Sequence, residues 1–133
     1  MKLLASTDFA LRALMALASE PSDRPLSVDA LAQKLGGLSR NHLHKIVQEL
    51  ASLGLVRTVR GAGGGVTLAI ALSEIKVGTL VRQLEGDQPV VECFRADGGC
   101  CTLVAGCRLR GFIRTAREDF YRSLDGHTLA ECF

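Results

Sequence analysis

The sequence predicts a mainly α-helical fold: a winged helix-turn-helix with a β-hairpin wing, then a cysteine-rich loop and a long C-terminal helix. Three observations support this prediction. Two stretches of apolar residues at helical spacing are joined by a glycine turn at 36–37. Two β-prone runs then flank a glycine-rich tip at 61–65. Finally, four of the five cysteines lie between positions 93 and 107.

The first helix is predicted from TDFALRALM and its neighbours, where apolar residues recur at helical spacing. Ser6 or Thr7 is expected to cap this helix, which should end near Glu20. Asp8 and Arg12 interrupt the apolar run, so the stretch does not have the pattern of a secretory signal peptide. Because nothing elsewhere in the sequence reaches membrane-spanning length, we expect a cytoplasmic protein.

The second and third helices form the predicted helix-turn-helix. Ser27 should cap the second helix, and Gly36 and Gly37 should end it. Ser39 should begin the third helix and Gly54 should close it. The apolar side of the third helix comprises Leu43, Ile46, Val47, Leu50 and Leu53.

The wing is predicted from the runs LVRTVR and VTLAI on either side of GAGGG. This glycine-rich tip lacks the lysine and the following helix of a phosphate-binding loop, so nucleotide binding is not favoured. Residues 27–60 include five Lys or Arg and two Asp or Glu, although the net charge of the whole chain is only +2. A local basic excess is typical of a surface that binds phosphate backbones, or of an ordinary solvated face.

The third helix is expected to lie in the major groove of double-stranded DNA, with residues near its N-terminus facing base edges. Arg40 and Lys45 could equally hold phosphates, which position a protein without reading sequence. Arg60 stands at the base of the wing tip, where it could enter a narrow minor groove. The candidate DNA-binding residues are Ser39, Arg40, Asn41, His44, Lys45, Arg60, Gly63 and Gly64.

The candidate metal site is the glycine-rich segment 91–109. It contains Cys93, Cys100, Cys101 and Cys107. Thiolates suit zinc, copper(I) or iron-sulfur clusters, and clustered cysteines in a cytoplasmic chain favour such a site over disulfides or simple packing. The odd total of five cysteines also argues against a closed disulfide set. There is no pair of C-x-x-C motifs, so the usual zinc pattern is incomplete.

Two more helices are predicted after the wing, one over 77–84 and a long one from Arg108. The apolar stripe of the long helix comprises Leu109, Phe112, Ile113, Ala116, Phe120 and Leu124. This stripe could pack on its own domain, but we favour dimerisation, because DNA-binding dimers match two-fold half-sites. The tail 128–133 is expected to dock as a short helix.

Five segments of the chain carry a resemblance to a known family. They are TDFALRALM, SRNHLHKIVQELASLGLV, VRGAGGGVTLA, VGTLVRQLEG and the C-x5-C-R-L pattern at 101–109. Together they resemble the bacterial winged-helix iron-sulfur transcriptional regulators of the NsrR/IscR type, and most of all the branch that senses nitric oxide. The resemblance covers nearly the whole chain. It implies a homodimeric repressor that binds a palindromic operator and whose iron-sulfur cluster controls DNA affinity.

The resemblance also implies a ligand set. The implied cysteine ligands are Cys93, Cys101 and Cys107. Cys100 is the alternative to Cys101, because the seven residues between Cys93 and Cys101 make a longer gap than is usual in the family. One branch uses a histidine three residues after the last cysteine, where this chain has Arg110. The nitric-oxide branch instead places an aspartate, donated by the partner chain, where this chain has Asp8. The alternative is that Asp8 is an ordinary acid near a helix N-terminus, where the helix dipole favours negative charge.

The sequence and the resemblance together predict a cytoplasmic repressor that senses nitric oxide through a [4Fe-4S] cluster, with nitrosylation lowering its operator affinity. One alternative is a [2Fe-2S] or thiol-based regulator that responds to redox state or iron supply. Another is a zinc-stabilised interaction module. An enzyme is not expected, because no cysteine has an evident histidine and acid arranged around it. The predicted parts are a DNA-binding domain (1–86), a cluster-binding loop (87–107) and a dimerisation helix with its tail (108–133).

Overall fold

The computed structural model describes residues 2–21, 24–103 and 105–133 of the 133-residue chain. The helices are α1 (Ala5–Ala18), α2 (Val28–Lys34), α3 (Arg40–Ser52), α4 (Val77–Glu85) and α5 (Arg108–Leu124). The strands β1 (Val56–Val59) and β2 (Gly65–Leu68) form an antiparallel hairpin, the wing. Short 3-10 turns lie at Leu72–Glu74, Glu92–Phe94 and Leu129–Cys132. The predicted mainly α-helical winged fold is confirmed, and no helix in the described ranges is long and apolar enough to cross a membrane.

A single apolar core lies beneath the first three helices and the wing. Leu14 of α1, Leu31 of α2, and Leu43 and Leu50 of α3 are all 0% exposed, and Val66 of β2 is 1% exposed. Full burial of such a side chain contributes about 1.5–3 kcal/mol to folding. Because α3 and the wing share this core, their relative position is fixed within one chain.

The helix-turn-helix follows the predicted caps. The Ser27 hydroxyl accepts a hydrogen bond from the Ala30 N–H at 3.2 Å, and the Ser39 hydroxyl accepts one from the His42 N–H at 3.3 Å. Between the two helices, the paired glycines have φ values of 81° and 82°. Glycine adopts this left-handed conformation without the steric cost that a side chain brings. The turn that sets the direction of α3 therefore depends on residues visible in the sequence.

The start of α1 differs from the prediction. Neither Ser6 nor Thr7 caps the helix, since α1 begins at Ala5, its N-cap is Leu4, and no side chain caps it. The Leu4 N–H donates instead to the carboxylate of Glu85, at the end of α4, over 2.9 Å. Thr7 is 0% exposed inside the first turn. A tertiary hydrogen bond, rather than a local cap, therefore holds the chain where α1 begins.

The second half of α5 packs on α4. A Cβ atom on Gly78 of α4 would overlap the backbone carbonyl oxygen of Tyr121, so the two helices meet at a position that requires glycine. Arg82 donates to both carboxylate oxygens of Glu118, at 3.1 and 2.8 Å. Beyond α5, the tail docks as a 3-10 turn with Leu129 only 1% exposed, which confirms the expected docking.

The first half of α5 is uncovered within this chain. Leu109 and Phe112, both in the predicted dimerisation stripe, are 60% and 62% exposed. Leu103, in the loop that precedes the helix, is 73% exposed. The predicted stripe is therefore divided. Its C-terminal end lies in the half of α5 that packs on α4, whereas its N-terminal end faces solvent. Dimerisation through this end stays a prediction.

Candidate DNA interface and cysteine loop

A cleft of about 450 Å³ lies between α3 and the wing. Its lining includes Arg40 and His44 from α3, and Arg60 and Gly64 from the wing. Four of the predicted DNA-binding residues are thus brought together by two elements that share one core. Two positively charged side chains on opposite walls suit a polyanion that passes over the cleft.

The polar side of α3 is exposed because its apolar side is buried. Leu43 and Ile46 are 0% and 2% exposed. Asn41, His44 and Lys45, on the other side, are all exposed. Asn41 and Lys45 do not line the cleft itself but lie on the neighbouring surface of the same helix. An exposed helix face of this kind can enter a major groove, which is about 12 Å wide.

Two of the candidate residues also have structural contacts. The Ser39 hydroxyl is engaged in capping α3, as described above. The Arg40 Nε atom lies 3.6 Å from a carboxylate oxygen of Asp29, and both side chains are 65% exposed. Exposed pairs of this kind contribute little to stability. Arg40 can therefore exchange this carboxylate for a phosphate at small cost.

The wing tip needs its glycines for its backbone path. Gly63 has a φ of 74°, in the left-handed region that favours glycine. A Cβ atom on Gly64 would overlap the carbonyl oxygen of Val59. These two residues therefore set the tight tip that carries Arg60, and their direct contact with DNA stays a prediction.

The cleft is also lined by residues that were not predicted to bind DNA, among them the polar residues Gln48 and Thr58. Gln48 lies four residues after His44, which is about one helical turn and thus the same face of α3. Thr58 lies two residues before Arg60, a spacing at which two side chains of an extended strand lie on the same side. Both positions could have been found by extending the two periodicities from the basic residues.

The cysteine loop does not gather its thiols into a metal site within the described residues. All five cysteines are free, and Cys93, Cys101 and Cys107 are partly exposed. No three His, Cys, Asp or Glu side chains in residues 2–21, 24–103 and 105–133 are grouped so that they could hold a metal ion. The donor set nevertheless fits an iron-sulfur cluster, because unpaired, accessible thiols are the ligands that such clusters use.

The two remaining ligand candidates make contacts of their own. Asp8 lies in the first turn of α1, where its charge favours the helix dipole, and its carboxylate is 2.8 Å from the Arg12 guanidinium. The Cys100 Sγ atom lies 3.6 Å from Oε1 of Glu92 in the same loop. The ligand set implied by the resemblance is therefore not assembled within a single chain.

A tight ionic turn separates Cys93 from Cys100. The Arg95 guanidinium donates to both carboxylate oxygens of Asp97, at 3.0 and 2.7 Å, and the Gly99 N–H donates to one of them at 3.0 Å. The hydrogen bonds from Arg95, and then from Gly99, lower the pKa of Asp97. This turn gives the loop a local structure without burying it.

The chain matches known transcriptional regulators along nearly its whole length. Residues 3–133 match the model of the Rrf2 family, described as an iron-dependent transcriptional regulator. The HTH-type transcriptional regulator NsrR of Halalkalibacterium halodurans is 40% identical over 131 residues, which cover 98% of this chain and 89% of that protein.

Two solved structures share the fold. IscR from T. potens matches with a TM-score of 0.76 and 27% identity, over 99% of this chain and 85% of that chain. CymR (YrzC), the global cysteine regulator of B. subtilis, matches with a TM-score of 0.74 and 27% identity, over 99% of this chain and 95% of that chain. The winged architecture is thus shared with regulators over almost the entire chain.

Proposed function

This chain belongs to the Rrf2 family of transcriptional regulators, and from that premise we propose that it is a homodimeric repressor that senses nitric oxide through a [4Fe-4S] cluster. Its membership makes it a DNA-binding regulator and not an enzyme. One observation best supports the proposal of a nitric-oxide-sensing repressor. The same chain carries an assembled cleft between α3 and the wing and, separately, a loop of free thiols.

DNA is read by α3 and the wing. Asn41 and His44 of α3 face base edges in the major groove, while Arg40 and Lys45 hold phosphates. Arg60 of the wing reaches the adjacent minor groove, whose negative potential is strongest where A·T pairs make it narrow. Two copies related by two-fold symmetry then require a palindromic operator.

The cysteine loop is the sensor. Cys93, Cys101 and Cys107 would hold the cluster, together with the partner's Asp8. Cys101 is favoured over Cys100 because the Cys100 thiol is directed at the carboxylate of Glu92. When bound, the cluster supplies iron that reacts with nitric oxide. A carboxylate is a harder ligand than a thiolate and would be held more weakly by iron in a thiolate site, so Asp8 would be the weakest of the four proposed ligands.

The signal must appear as a difference in operator affinity between two states of the loop. Cys107 directly precedes α5 and is its N-cap residue. α5 is held to α4 by the bidentate pair of Arg82 and Glu118, and the tail after α5 places Leu129 in the core beneath the winged domain. A displacement at Cys107 therefore acts on a helix that is packed against the DNA-binding part.

The proposal that α3 contacts DNA is tested by the salt dependence of operator binding. The slope of log affinity against log salt is negative, and Lys45→Ala should make it less steep by about 0.9, the value for one lost phosphate contact. Lys34→Ala is the matched control, because Lys34 pairs with Glu20 away from the cleft, and its slope should equal that of the wild type. An unchanged slope for Lys45→Ala would remove this residue from the phosphate contacts.

Arg60→Ala tests the wing separately. We expect weaker binding, most of all at operators with A·T pairs beside the half-sites, since the guanidinium reads a narrow minor groove. The measurement is a titration of two operators that differ only in those flanking pairs. Equal loss at both operators would reduce Arg60 to a phosphate contact, and no loss at either would exclude the wing from recognition.

The sensing half is tested with Asp8→Ala in protein purified without oxygen. Asp29→Ala is the matched control, because Asp29 is also an exposed acid in the first turn of a helix. We expect Asp8→Ala to fold normally and to lose iron to a chelator faster than the wild type, whereas Asp29→Ala should not. If the two variants lose iron at the same rate as the wild type, Asp8 is not a ligand.

A second candidate is a [2Fe-2S] or thiol-based regulator of the same DNA-binding kind. It is favoured by the fact that all five cysteines are free and at least partly exposed. The native mass of the anaerobic protein distinguishes the candidates. Four irons and four sulfides per chain support the [4Fe-4S] proposal, two of each support the second candidate, and a colourless protein with one zinc would make the loop a structural element.

A further inference from the structure

Three arginines on one face of α5 line a cleft beside Cys93 of the cysteine loop. Arg110, Arg114 and Arg117 follow one another at intervals of four and three residues, which places them on one face of the helix. Together with Cys93 they line a cleft of about 330 Å³. Arg110 and Arg114 also line a second cleft of about 330 Å³ with Cys107. Arg110 and Arg114 therefore lie beside both Cys93 and Cys107, two of the proposed cluster ligands.

These guanidinium groups are poorly neutralised within the described residues. The Nε atoms of Arg110 and Arg117 are buried and have no hydrogen-bond partner in the described part of the chain. The Arg117 Nε atom lies 3.8 Å from a carboxylate oxygen of Glu118, but that carboxylate accepts two hydrogen bonds from Arg82. Among the described residues that line the first cleft, Asp87 is the one acid. Since buried donors without partners are costly, this face is suited to receive an anion.

Phe94 fixes the arginines beside the loop. Its ring centroid lies 5.9 Å from the Arg114 guanidinium carbon and 5.3 Å from that of Arg117. These are cation–π distances, and such contacts attract a guanidinium to the ring face. Because Phe94 directly follows Cys93, the ring joins the first cysteine to the arginine face of α5. The proximity of the arginines to Cys93 is therefore maintained by a specific contact.

We propose that Arg110, Arg114 and Arg117 form an anion-binding face whose ligand is the negatively charged iron-sulfur cluster held by the loop. This inference rests on the proposed function. Each thiolate or carboxylate ligand adds one negative charge, and net charge together with hydrogen bonds to sulfur sets the reduction potential of such clusters. The three arginines offset this charge. They act through the field at the ligands, so they are positioning residues rather than ligands.

The test compares two triple variants of the full-length protein, loaded with cluster without oxygen. In the first, Arg110, Arg114 and Arg117 are all replaced by Gln; in the second they are all replaced by Lys. Arg122→Gln is the control, because Arg122 lies on the same helix, pairs with Asp119 and is 76% exposed. The measurements are the midpoint reduction potential and the rate of iron loss to a chelator. Neither depends on DNA binding.

We expect the Gln variant to have a more negative reduction potential and to lose iron several-fold faster than the wild type, because uncompensated negative charge disfavours both reduction and retention. The Lys variant should stay close to the wild type on both measurements, since it keeps the charge. Arg122→Gln should change neither. If the triple Gln variant does not fold, Arg114→Gln alone is measured in the same way and should show a smaller change in the same direction.

Two results would overturn this assignment while leaving the proposed function intact. One is a Gln variant with the potential and iron-loss rate of the wild type. The other is an equal change in the Gln and Lys variants, which would indicate a packing role for the side chains rather than a role for their charge. A wild-type protein that takes up no iron or sulfide would overturn both this assignment and the proposed function.

Discussion

The cleft between α3 and the wing and the cysteine loop are built in different ways. The cleft is mounted on a core in which Leu43 and Leu50 of α3 are 0% exposed. In the loop, by contrast, no described residue from 87 to 107 is buried. α3 begins at a side-chain cap, whereas Cys107, the N-cap of α5, makes no capping hydrogen bond.

This difference indicates that the two sites are completed by different means. The proposed DNA-binding surface is complete when one chain folds, because burial of the apolar side of α3 fixes the position of its polar side. The thiol loop has little buried area to hold it, so the proposed function requires a bound group or a second chain to bring its donors together. Coupling of metal binding to local ordering is common where ligands lie in irregular segments. Such a loop can change state while the DNA-binding half stays folded.

The largest expected contrast is in core packing. Leu50→Ala, beneath α3, should lower the free energy of unfolding by about 2–5 kcal/mol, because it removes a fully buried side chain and leaves a cavity. Leu103→Ala, in the loop at 73% exposure, should change it by no more than about 0.5 kcal/mol. Urea unfolding of the cluster-free protein measures both. Equal losses would show that the loop is as tightly packed as the core.

A pair of glycines sharpens the comparison between the two halves of α5. Gly78→Ala should destabilise the protein by about 1–3 kcal/mol, because its Cβ would overlap the Tyr121 carbonyl oxygen where α4 meets α5. Gly111→Ala, in the uncovered half of α5 with nothing within 4 Å of the new Cβ, should instead stabilise it by about 0.5–1 kcal/mol. Thermal unfolding reports both changes. A destabilising Gly111→Ala would show that the partner chain of the proposed homodimer covers this position of α5 as well as Leu109 and Phe112.

The helix caps give a smaller contrast. Ser39→Ala should cost about 0.5–2 kcal/mol, since it removes the hydrogen bond to the His42 N–H at the start of α3. Cys107→Ala should change the stability of the cluster-free protein by less than about 0.5 kcal/mol, because its side chain caps nothing. In cluster-loaded protein, however, Cys107→Ala should abolish iron retention. Normal iron content in this variant would exclude Cys107 as a ligand.

The smallest expected effect is on the loss of folding stability at acid pH. Hydrogen bonds from Arg82 lower the pKa of Glu118, so the stabilisation from this pair is fully present above the ordinary glutamate pKa of about 4.3 and is lost as the pH falls through the lower value. Arg82→Gln should therefore make stability less sensitive to acid below that pH. Arg95→Gln, which removes the partner of Asp97 in the loop, should change the acid dependence in the same direction, because hydrogen bonds from Arg95 likewise lower the pKa of Asp97. Melting temperatures at pH 7 and at acid pH test both variants.

The sequence predicts the DNA-binding half well because its signals are local. Ser27, Ser39 and the glycines between the two helices act within a few residues of their own positions, and the structure confirms each of them. The start of α1 was predicted wrongly because the group that holds it, Glu85, lies 81 residues away from Leu4. Capping preferences depend on residues within the first turn of a helix, so they cannot predict a contact with a residue so distant in sequence.

The cysteine half was less predictable for the same physical reason. Composition identified the thiols, but the arginine face beside them depends on Phe94 meeting α5 across the loop. Periodicity could have placed Gln48 and Thr58 on the same faces as the basic residues, but only the packing of α3 beside the wing brings the two faces into one cleft. Periodicity predicts which side of an element is exposed, whereas tertiary packing decides which exposed sides meet.

In the proposed function, the state of the cysteine loop controls the DNA affinity of an already assembled winged domain. The most direct test is a titration of operator DNA, selected by the protein from random sequences, with anaerobically purified protein before and after stoichiometric nitric oxide. We expect at least a tenfold loss of affinity, or about 1.4 kcal/mol, while circular dichroism shows the helices unchanged. Equal affinity before and after, in protein shown to carry its cluster, would contradict the account.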